Sequence, residues 1–215
     1  MYQFVSGPLV WIAFFVFVGG MVYQFVTMLK LAQKDKVIYP YMSLKYSLRS
    51  IFHWIIPFAS RNMRARYEVT IVTFIFHICL VLLPIFLLAH VAMFAFAWGA
   101  KWSVISEGAA NYMTIAVILA CVFFLLRRVM LPEVQFVTYV SDYVLLAIAF
   151  APFVTGFAAN RQWFDYETTI IIHMICGSLM LIVIPFTRLS HMLFFPFTRA
   201  YMGSEFGAVR NARDW

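Results

Sequence analysis

The stretch "HMICGSLMLIVIPFTRLSH", residues 173–191, has the composition of a membrane helix but carries a histidine at each end. Arg188 is the only charged residue within it. On a continuous α-helix, the 18 steps from His173 to His191 complete five turns, so both side chains face one direction, about 27 Å apart. Ionisable groups inside spanning segments are rare and mostly functional. The stretch therefore predicts one functional histidine near each membrane surface.

The composition extends this prediction to the whole chain. Of its 215 residues, 64% are hydrophobic and only 12% are charged, whereas soluble domains are about half apolar and about a quarter charged. Membrane spans need roughly 20 apolar helical residues, because lipid offers no partners for an open backbone. We predict an all-α membrane protein with one domain over residues 1–215. Its five transmembrane helices are expected at about 7–29, 69–98, 110–130, 141–159 and 168–189.

The basic residues predict the topology. All Lys and Arg residues except Lys101 and Arg161 fall between the first two spans, at the end of the third span, or at and after the end of the fifth. By the positive-inside rule, the N-terminus is outside and the tail, residues 192–215, is cytoplasmic. The net charge of +7 is then a topology signal, and no nucleic-acid partner is expected.

The loop after the first span contains an amphipathic segment at about residues 43–57. Its apolar residues recur at helical spacing, while Lys45, Arg49 and His53 fall on the opposite face and Pro57 ends the run. This pattern is typical of a helix lying in the membrane interface. A docking platform for a cytoplasmic partner is the alternative.

Four histidines lie within the second and fifth spans: His77, His90, His173 and His191. The two spans run in opposite directions, which pairs His90 with His173 near the outer surface and His77 with His191 near the inner one. Two imidazoles facing each other across a helical bundle are the ligand set of a low-spin b haem. The sequence has no C-x-x-C-H motif, so such haems would be non-covalent.

One spacing fits this arrangement less well. His77 and His90 are 13 residues apart, which gives about 20 Å and an angular offset near 220° on a straight helix. Pro84 lies between them and is expected to kink the helix. Three alternatives stay open: structural histidines, a metal site and a proton relay. Zinc usually takes clustered ligands, and relays usually recruit Asp or Glu, which the two spans lack.

The same stretch resembles the final helix of the respiratory nitrate reductase gamma subunit, a five-helix di-haem cytochrome b. The shared residues are His173, Gly177, Pro185, Phe186, Thr187, Arg188, Leu189 and His191. "FHICLVLLPIFLLAH" is similar to the family's second helix, and "LLRRVMLPEVQFVTYVSDYVLLAIAFAPFVTGF" to its third and fourth helices. The longer spacing from His77 to His90 looks more like the Tmc, Hmc and Dsr cytochromes of sulfate reducers, and the short chain favours the Tmc or Hmc type.

The resemblance implies two haem b groups, with the same outer and inner histidine pairs. Gly177 would let the outer porphyrin lie close to the helix, or would serve helix packing. Arg188 would pair with an inner haem propionate, or would only set topology. Trp98, Lys101 and Trp102 are candidates for a quinol pocket holding menaquinone, or form an aromatic belt. Asp142 is expected to cap the fourth span rather than to transfer protons.

The resulting expectation is an electron-transfer subunit with no complete active site of its own, in a bacterial or archaeal inner membrane. It would connect a periplasmic multihaem cytochrome c, or the menaquinone pool, with a cytoplasmic iron–sulfur subunit of the CCG-domain or ferredoxin-like kind. The alternatives are a quinol-oxidising gamma subunit of a nitrate reductase-type enzyme, a haem-free structural anchor and a transporter. A transporter would need a polar substrate path, of which the spans show little.

Overall fold

The computed structural model describes residues 1–214, which are helical with no strand among them. After a short N-terminal helix and a π-helical turn, the main helices are α1 Val10–Ala32, α2 Leu44–Ile55, α3 Tyr67–Phe86, α4 Leu88–Trp98, α5 Glu107–Met130, α6 Val140–Arg161, α7 Tyr166–Val183 and α8 His191–Ser204. The all-α class is confirmed. Five helical segments are long and apolar enough to cross a membrane: Tyr2–Ala32, Tyr67–Trp98, Glu107–Met130, Val140–Arg161 and Tyr166–Phe186.

The second span is not one kinked helix but two helices. Leu87 is extended, with φ −70° and ψ 132°, between the end of α3 and the start of α4. Pro84 lacks an N–H and crowds the preceding turn, which weakens the helix just before this point. The carbonyls at the end of α3 accept hydrogen bonds from later residues instead: Pro84 from the His90 ring, Ile85 from the Trp102 indole at 2.7 Å, and Phe86 from the Ile105 amide at 2.9 Å. The break is thus stabilised by the chain that follows it.

The fifth span is broken as well. After α7, the chain makes two 3₁₀ turns, Ile184–Phe186 and Arg188–Ser190, on either side of an extended Thr187. The Thr187 hydroxyl donates to the Val183 carbonyl at 3.0 Å and accepts from the Leu189 amide at 3.3 Å. The expectation that His173 and His191 lie on one uninterrupted helix is wrong, because His191 begins α8. The calculation of five complete turns between His173 and His191 therefore does not apply, and it does not show that the two side chains face the same direction.

The chain forms two compact units. The first contains Met1–Leu9 and Val72–Met180, and its apolar core comes from α3, α5 and α6: Cys79, Leu83, Ala110, Val117, Cys121 and Phe153. α5 and α6 are antiparallel, since Asn160 donates to Asn111 at 3.0 Å near one end and Tyr143 donates to the Arg128 carbonyl at 3.5 Å near the other. The expected capping by Asp142 is confirmed, because its carboxylate accepts from the amide at the helix start at 2.8 Å.

The second unit contains Val10–Ile71 and the segment that begins at Leu181. Here α2 packs antiparallel on α8 through small residues. The Ser47 hydroxyl donates to the Ala200 carbonyl at 3.1 Å, and an added Cβ at Gly203 would lie only 2.5 Å from the Tyr46 carbonyl oxygen. The predicted amphipathic segment is therefore a helix that buries its serines. Its exposed apolar stripe consists of Leu44, Leu48, Phe52 and Ile55.

The predicted tail after the fifth span is largely helical, because α8 occupies its first part. Residues beyond α8 fold back on the α2–α8 pair. The Asp214 carboxylate forms a salt bridge with Arg199 and accepts from the Ser50 hydroxyl. The Arg199 guanidinium also lies 4.5 Å from the centre of the Trp54 ring. A buried ion pair and a cation–π contact thus hold the end of the chain.

Candidate functional site

The first unit brings the rings of His90 on α4 and His173 on α7 close together, with their planes parallel. Their ring centroids are 6.2 Å apart and their planes differ by only 3°. A metal between two imidazoles would separate the ring centres by two bonds of about 2.0 Å and two ring radii of about 1.15 Å, a total of about 6.3 Å. The spacing therefore fits a pair of axial ligands. Offset ring stacking covers the same distance range, so the spacing alone does not distinguish the two.

The hydrogen bonds of these rings determine which nitrogen carries the proton. Nδ1 of His90 lies 3.0 Å from the Pro84 carbonyl oxygen, and Nδ1 of His173 lies 2.9 Å from the Pro152 carbonyl oxygen. A carbonyl can only accept, so each Nδ1 is the donor and each Nε2 of the neutral ring keeps its lone pair. Metal-bound histidines are usually oriented in this way. Both rings of the pair are thus in the tautomer that ligation through Nε2 requires.

The other two predicted ligands show the same tautomer. Nδ1 of His77 donates to the Thr73 carbonyl at 2.8 Å, and Nδ1 of His191 donates to the Arg188 carbonyl at 2.7 Å. They belong to different units, and their pairing stays a prediction. His53 makes an equivalent bond, to the Arg49 carbonyl at 2.9 Å. The bond therefore fixes a tautomer without by itself marking a ligand.

Two glycines differ in what surrounds them. At Gly177, one turn after His173, no atom from a neighbouring element lies within 4 Å of the position of an added Cβ. The structure therefore shows no close packing of another helix against this glycine, and its role beside a porphyrin stays a prediction. At Gly156 of α6, an added Cβ would lie 2.8 Å from Cε1 of His173. Sequence reasoning missed Gly156, because nothing in its neighbourhood shows which side chain will pack against it.

Of the residues predicted for a quinol pocket, Trp102 stabilises the helix break. The Trp102 indole donates to the Ile85 carbonyl, and the rings of Trp98 and Trp102 each lie 5.5 Å from that of Phe94. Lys101 between them is exposed. These contacts give the two tryptophans a structural role, while the quinol role stays a prediction. The propionate contact of Arg188 likewise stays a prediction.

A cavity of about 410 Å³ lies at the N-terminal end of α7. It is lined by Tyr2, Gln3, Tyr166, Glu167 and Ile170. Tyr166 and Ile170 precede His173 by seven and three residues, which places all three on one face of the helix. The cavity is largely open to the surface, and its lining combines phenol, amide and carboxylate groups with one apolar side chain.

The described residues contain no cluster of side chains that could bind another metal ion. Among residues 1–214, no three His, Cys, Asp or Glu side chains lie close enough together to hold a metal ion. The three cysteines, Cys79, Cys121 and Cys176, are free thiols. The candidate site is therefore the histidine pair between α4 and α7, with Gly156 and Gly177 beside it.

Comparison with known proteins gives one informative relative. No protein-family model and no solved structure matches the chain significantly. A protein of Nitratidesulfovibrio vulgaris strain Hildenborough is 35% identical over 215 residues, covering 98% of this chain and 95% of the relative. Identity at this level over the full length reflects common descent and a common fold. The chain belongs to the same protein family as this bacterial protein.

Proposed function

We propose that the chain is the di-haem b membrane subunit of a respiratory oxidoreductase complex, carrying electrons across the bilayer. The observation that supports it most directly is the outer pair, His90 and His173, with parallel rings whose centroids are 6.2 Å apart. Both rings hold the proton on Nδ1 through carbonyl bonds. His77 and His191 are proposed as the inner pair. The ring geometry of the first pair supports one non-covalent haem, and the shared Nδ1 tautomer of His77 and His191 supports the proposal of a second.

In this function, the protein would bind the haems and keep oxygen and substrates away from the iron. Haem supplies reversible one-electron reduction of its iron. The imidazoles of each histidine pair would hold one haem and would leave no position open to oxygen or substrate, which favours electron transfer over catalysis. Gly177 is proposed to let the outer porphyrin approach α7, and Arg188 to form a charge-assisted bond with an inner propionate.

The proposed partners follow from the predicted topology and from the family resemblance. The N-terminus would be periplasmic and the basic loops cytoplasmic. A cytoplasmic iron–sulfur subunit, CCG-domain or ferredoxin-like, would exchange electrons at the inner haem, and a periplasmic multihaem cytochrome c or the menaquinone pool at the outer one. The proposed complex is of the Tmc or Hmc type found in sulfate reducers, and the 35% identical relative comes from a sulfate-reducing bacterium.

Haem content of single variants tests the proposal. The purified protein should contain about two b haems per chain by the pyridine haemochrome assay, because two histidine pairs are available. His90→Ala and His173→Ala should each lose the same haem, and the double variant should lose no more. His77→Ala and His191→Ala should each lose the other haem.

His53→Ala is the matched control, because His53 makes the same Nδ1 bond to a backbone carbonyl outside the predicted spans. It should keep both haems. A wild-type protein without a b-type absorption band would contradict the proposal and leave the haem-free structural anchor as the explanation. Equal loss from His53→Ala would show that the assay reports folding rather than ligation.

Quinol oxidation, as in a nitrate reductase-type gamma subunit, is a second candidate function. It is favoured by the cavity of about 410 Å³ lined by Tyr166, Glu167 and Ile170, on the helix that carries His173. Reduction of the haems by a water-soluble menaquinol analogue, compared with reduction by a reduced multihaem cytochrome c, separates the two. Rapid reduction by the quinol alone would favour this candidate.

A further inference from the structure

The edge of the His173 ring rests on the backbone of α6. Its Nδ1 lies 2.9 Å from the Pro152 carbonyl oxygen and 3.4 Å from the Thr155 hydroxyl. The Thr155 hydroxyl itself donates to the Ala151 carbonyl at 2.7 Å. Because a carbonyl oxygen has two lone pairs, the Pro152 carbonyl can serve both α6 and the ring. The direction of the ring is thus set by a neighbouring helix, not by α7 alone.

Gly156 makes this contact sterically possible. In a helix, each Cβ is directed back towards the N-terminus, so a side chain at 156 would cover the turn that presents the Pro152 carbonyl. An added Cβ would lie 2.8 Å from Cε1 and 3.0 Å from Nδ1 of His173. Both distances are too short for non-bonded contact. Any residue larger than glycine must therefore turn or displace the imidazole.

We propose that Gly156 is the positioning residue of the outer pair: it allows His173 to dock edge-on against α6 and so keeps its ring parallel to that of His90. This inference rests on the proposed haem function. The relative orientation of two axial imidazole planes controls how far two iron d orbitals are split in energy. Parallel planes give a large splitting and a rhombic low-spin EPR spectrum, whereas planes turned towards a right angle give a strongly anisotropic spectrum.

Gly156→Ala tests this assignment, with Gly19→Ala as the matched control. Both glycines lie inside long helices, but no atom of a neighbouring element lies within 4 Å of an added Cβ at Gly19. The outer signal is the one that His90→Ala abolishes. In the wild type it should be rhombic. In Gly156→Ala the outer signal should become strongly anisotropic if the haem is retained. If the outer haem is lost, the signal should disappear and the haem content should fall from about two to about one per chain.

The inner haem serves as the folding control within the same molecule, because the three atoms nearest to an added Cβ at Gly156 all belong to His173 of the outer pair. Loss of both haems in Gly156→Ala would overturn the positioning role and show a general structural one. An outer signal identical to the wild type would overturn it as well. In that case the wild type would still contain two haems, and the proposed function would stand. A wild type without haem would refute the proposed function itself.

Discussion

The contact between α1 and the broken part of the fifth span should be sensitive to a single methyl group. An added Cβ at Gly20 would lie 2.7 Å from Cβ and 2.8 Å from Cγ of Pro185. One turn later, the Gln24 amide donates to the Pro185 carbonyl at 3.1 Å. At the adjacent Gly19, an added Cβ meets no atom of another element within 4 Å. The variants Gly20→Ala and Gly19→Ala therefore differ in what the new methyl group contacts.

The expected difference in stability follows from these distances. Carbon atoms pack at about 3.5 Å or more, so Pro185 or α1 must move by about 0.8 Å in Gly20→Ala. Overpacking of this kind costs about 1–3 kcal/mol in the free energy of unfolding. The gain of about 0.5–1 kcal/mol from replacing glycine by alanine within a helix is common to both variants and cancels. Gly20→Ala should therefore be less stable than Gly19→Ala by about 1–3 kcal/mol.

Thermal unfolding in detergent, followed by tryptophan fluorescence, measures this difference. For a chain of this size, 1 kcal/mol corresponds to about 2–4 °C in Tm, so Gly20→Ala should unfold about 2–12 °C below Gly19→Ala. Under the proposed function, the displacement of the turns before His191 should also weaken the inner haem and leave the outer one intact. Equal Tm values for the two variants would refute the packing argument.

Two further predictions concern the second unit. Asp214→Asn should loosen the end of the chain, because the Asp214 side chain is 1% exposed and its charge is the buried counter-charge of Arg199. Removing that charge should cost about 3–5 kcal/mol. The variant should therefore be cleaved faster by trypsin near Arg210, and an unchanged cleavage rate would contradict this prediction. Tyr201→Phe should make the stability of the folded chain less sensitive to acid. The Tyr201 hydroxyl donates to the Asp35 carboxylate and lowers the pKa of that carboxyl. The contact therefore stabilises the folded chain above the ordinary pKa of 3.8, and this stabilisation is lost as the pH falls through the lowered pKa. Burial and then Asp35 raise the pKa of Tyr201 to about 12, so the contact persists to that pH; Tm measured from about pH 3 to 7 should fall more in the wild type than in the variant, and equal slopes would contradict this.

The number and class of the spans were predictable because apolar length is a local property of the chain. The five expected spans each correspond to one apolar helical segment. The proximity of His90 to His173 was also predictable, since antiparallel neighbours in a bundle bring residues at one level together, and the structure places these rings near each other in one unit. Their pairing as ligands stays a prediction.

The helix breaks were not predictable from the sequence. Pro84 indicates a lost hydrogen bond, but a proline can kink a helix or end it. The choice depends on donors from the following segment, Trp102 and Ile105, that bind the freed carbonyls. The calculated offset of 220° between His77 and His90 therefore does not apply, because no continuous helix joins them. The role of Gly156 was not predictable for the same reason, since it depends on contact with the His173 ring on another helix.

The two breaks share a spacing that bears on the proposed pairs. Pro84 precedes His90 by six residues and Pro185 precedes His191 by six. α3 ends and α4 begins between the first two residues, and the chain passes through its two 3₁₀ turns around Thr187 before the second histidine. After a break, the ring nitrogen can reach a carbonyl upstream of its own helix, and the direction of the side chain no longer depends on the preceding helical phase. Each proposed pair thus combines one histidine released by a break with one held inside an intact helix. Under the proposed function, the intact helix would supply one ligand in a fixed direction, and the segment after the break would supply one whose direction can adjust, so that the two ligands meet the strict geometry of one metal ion.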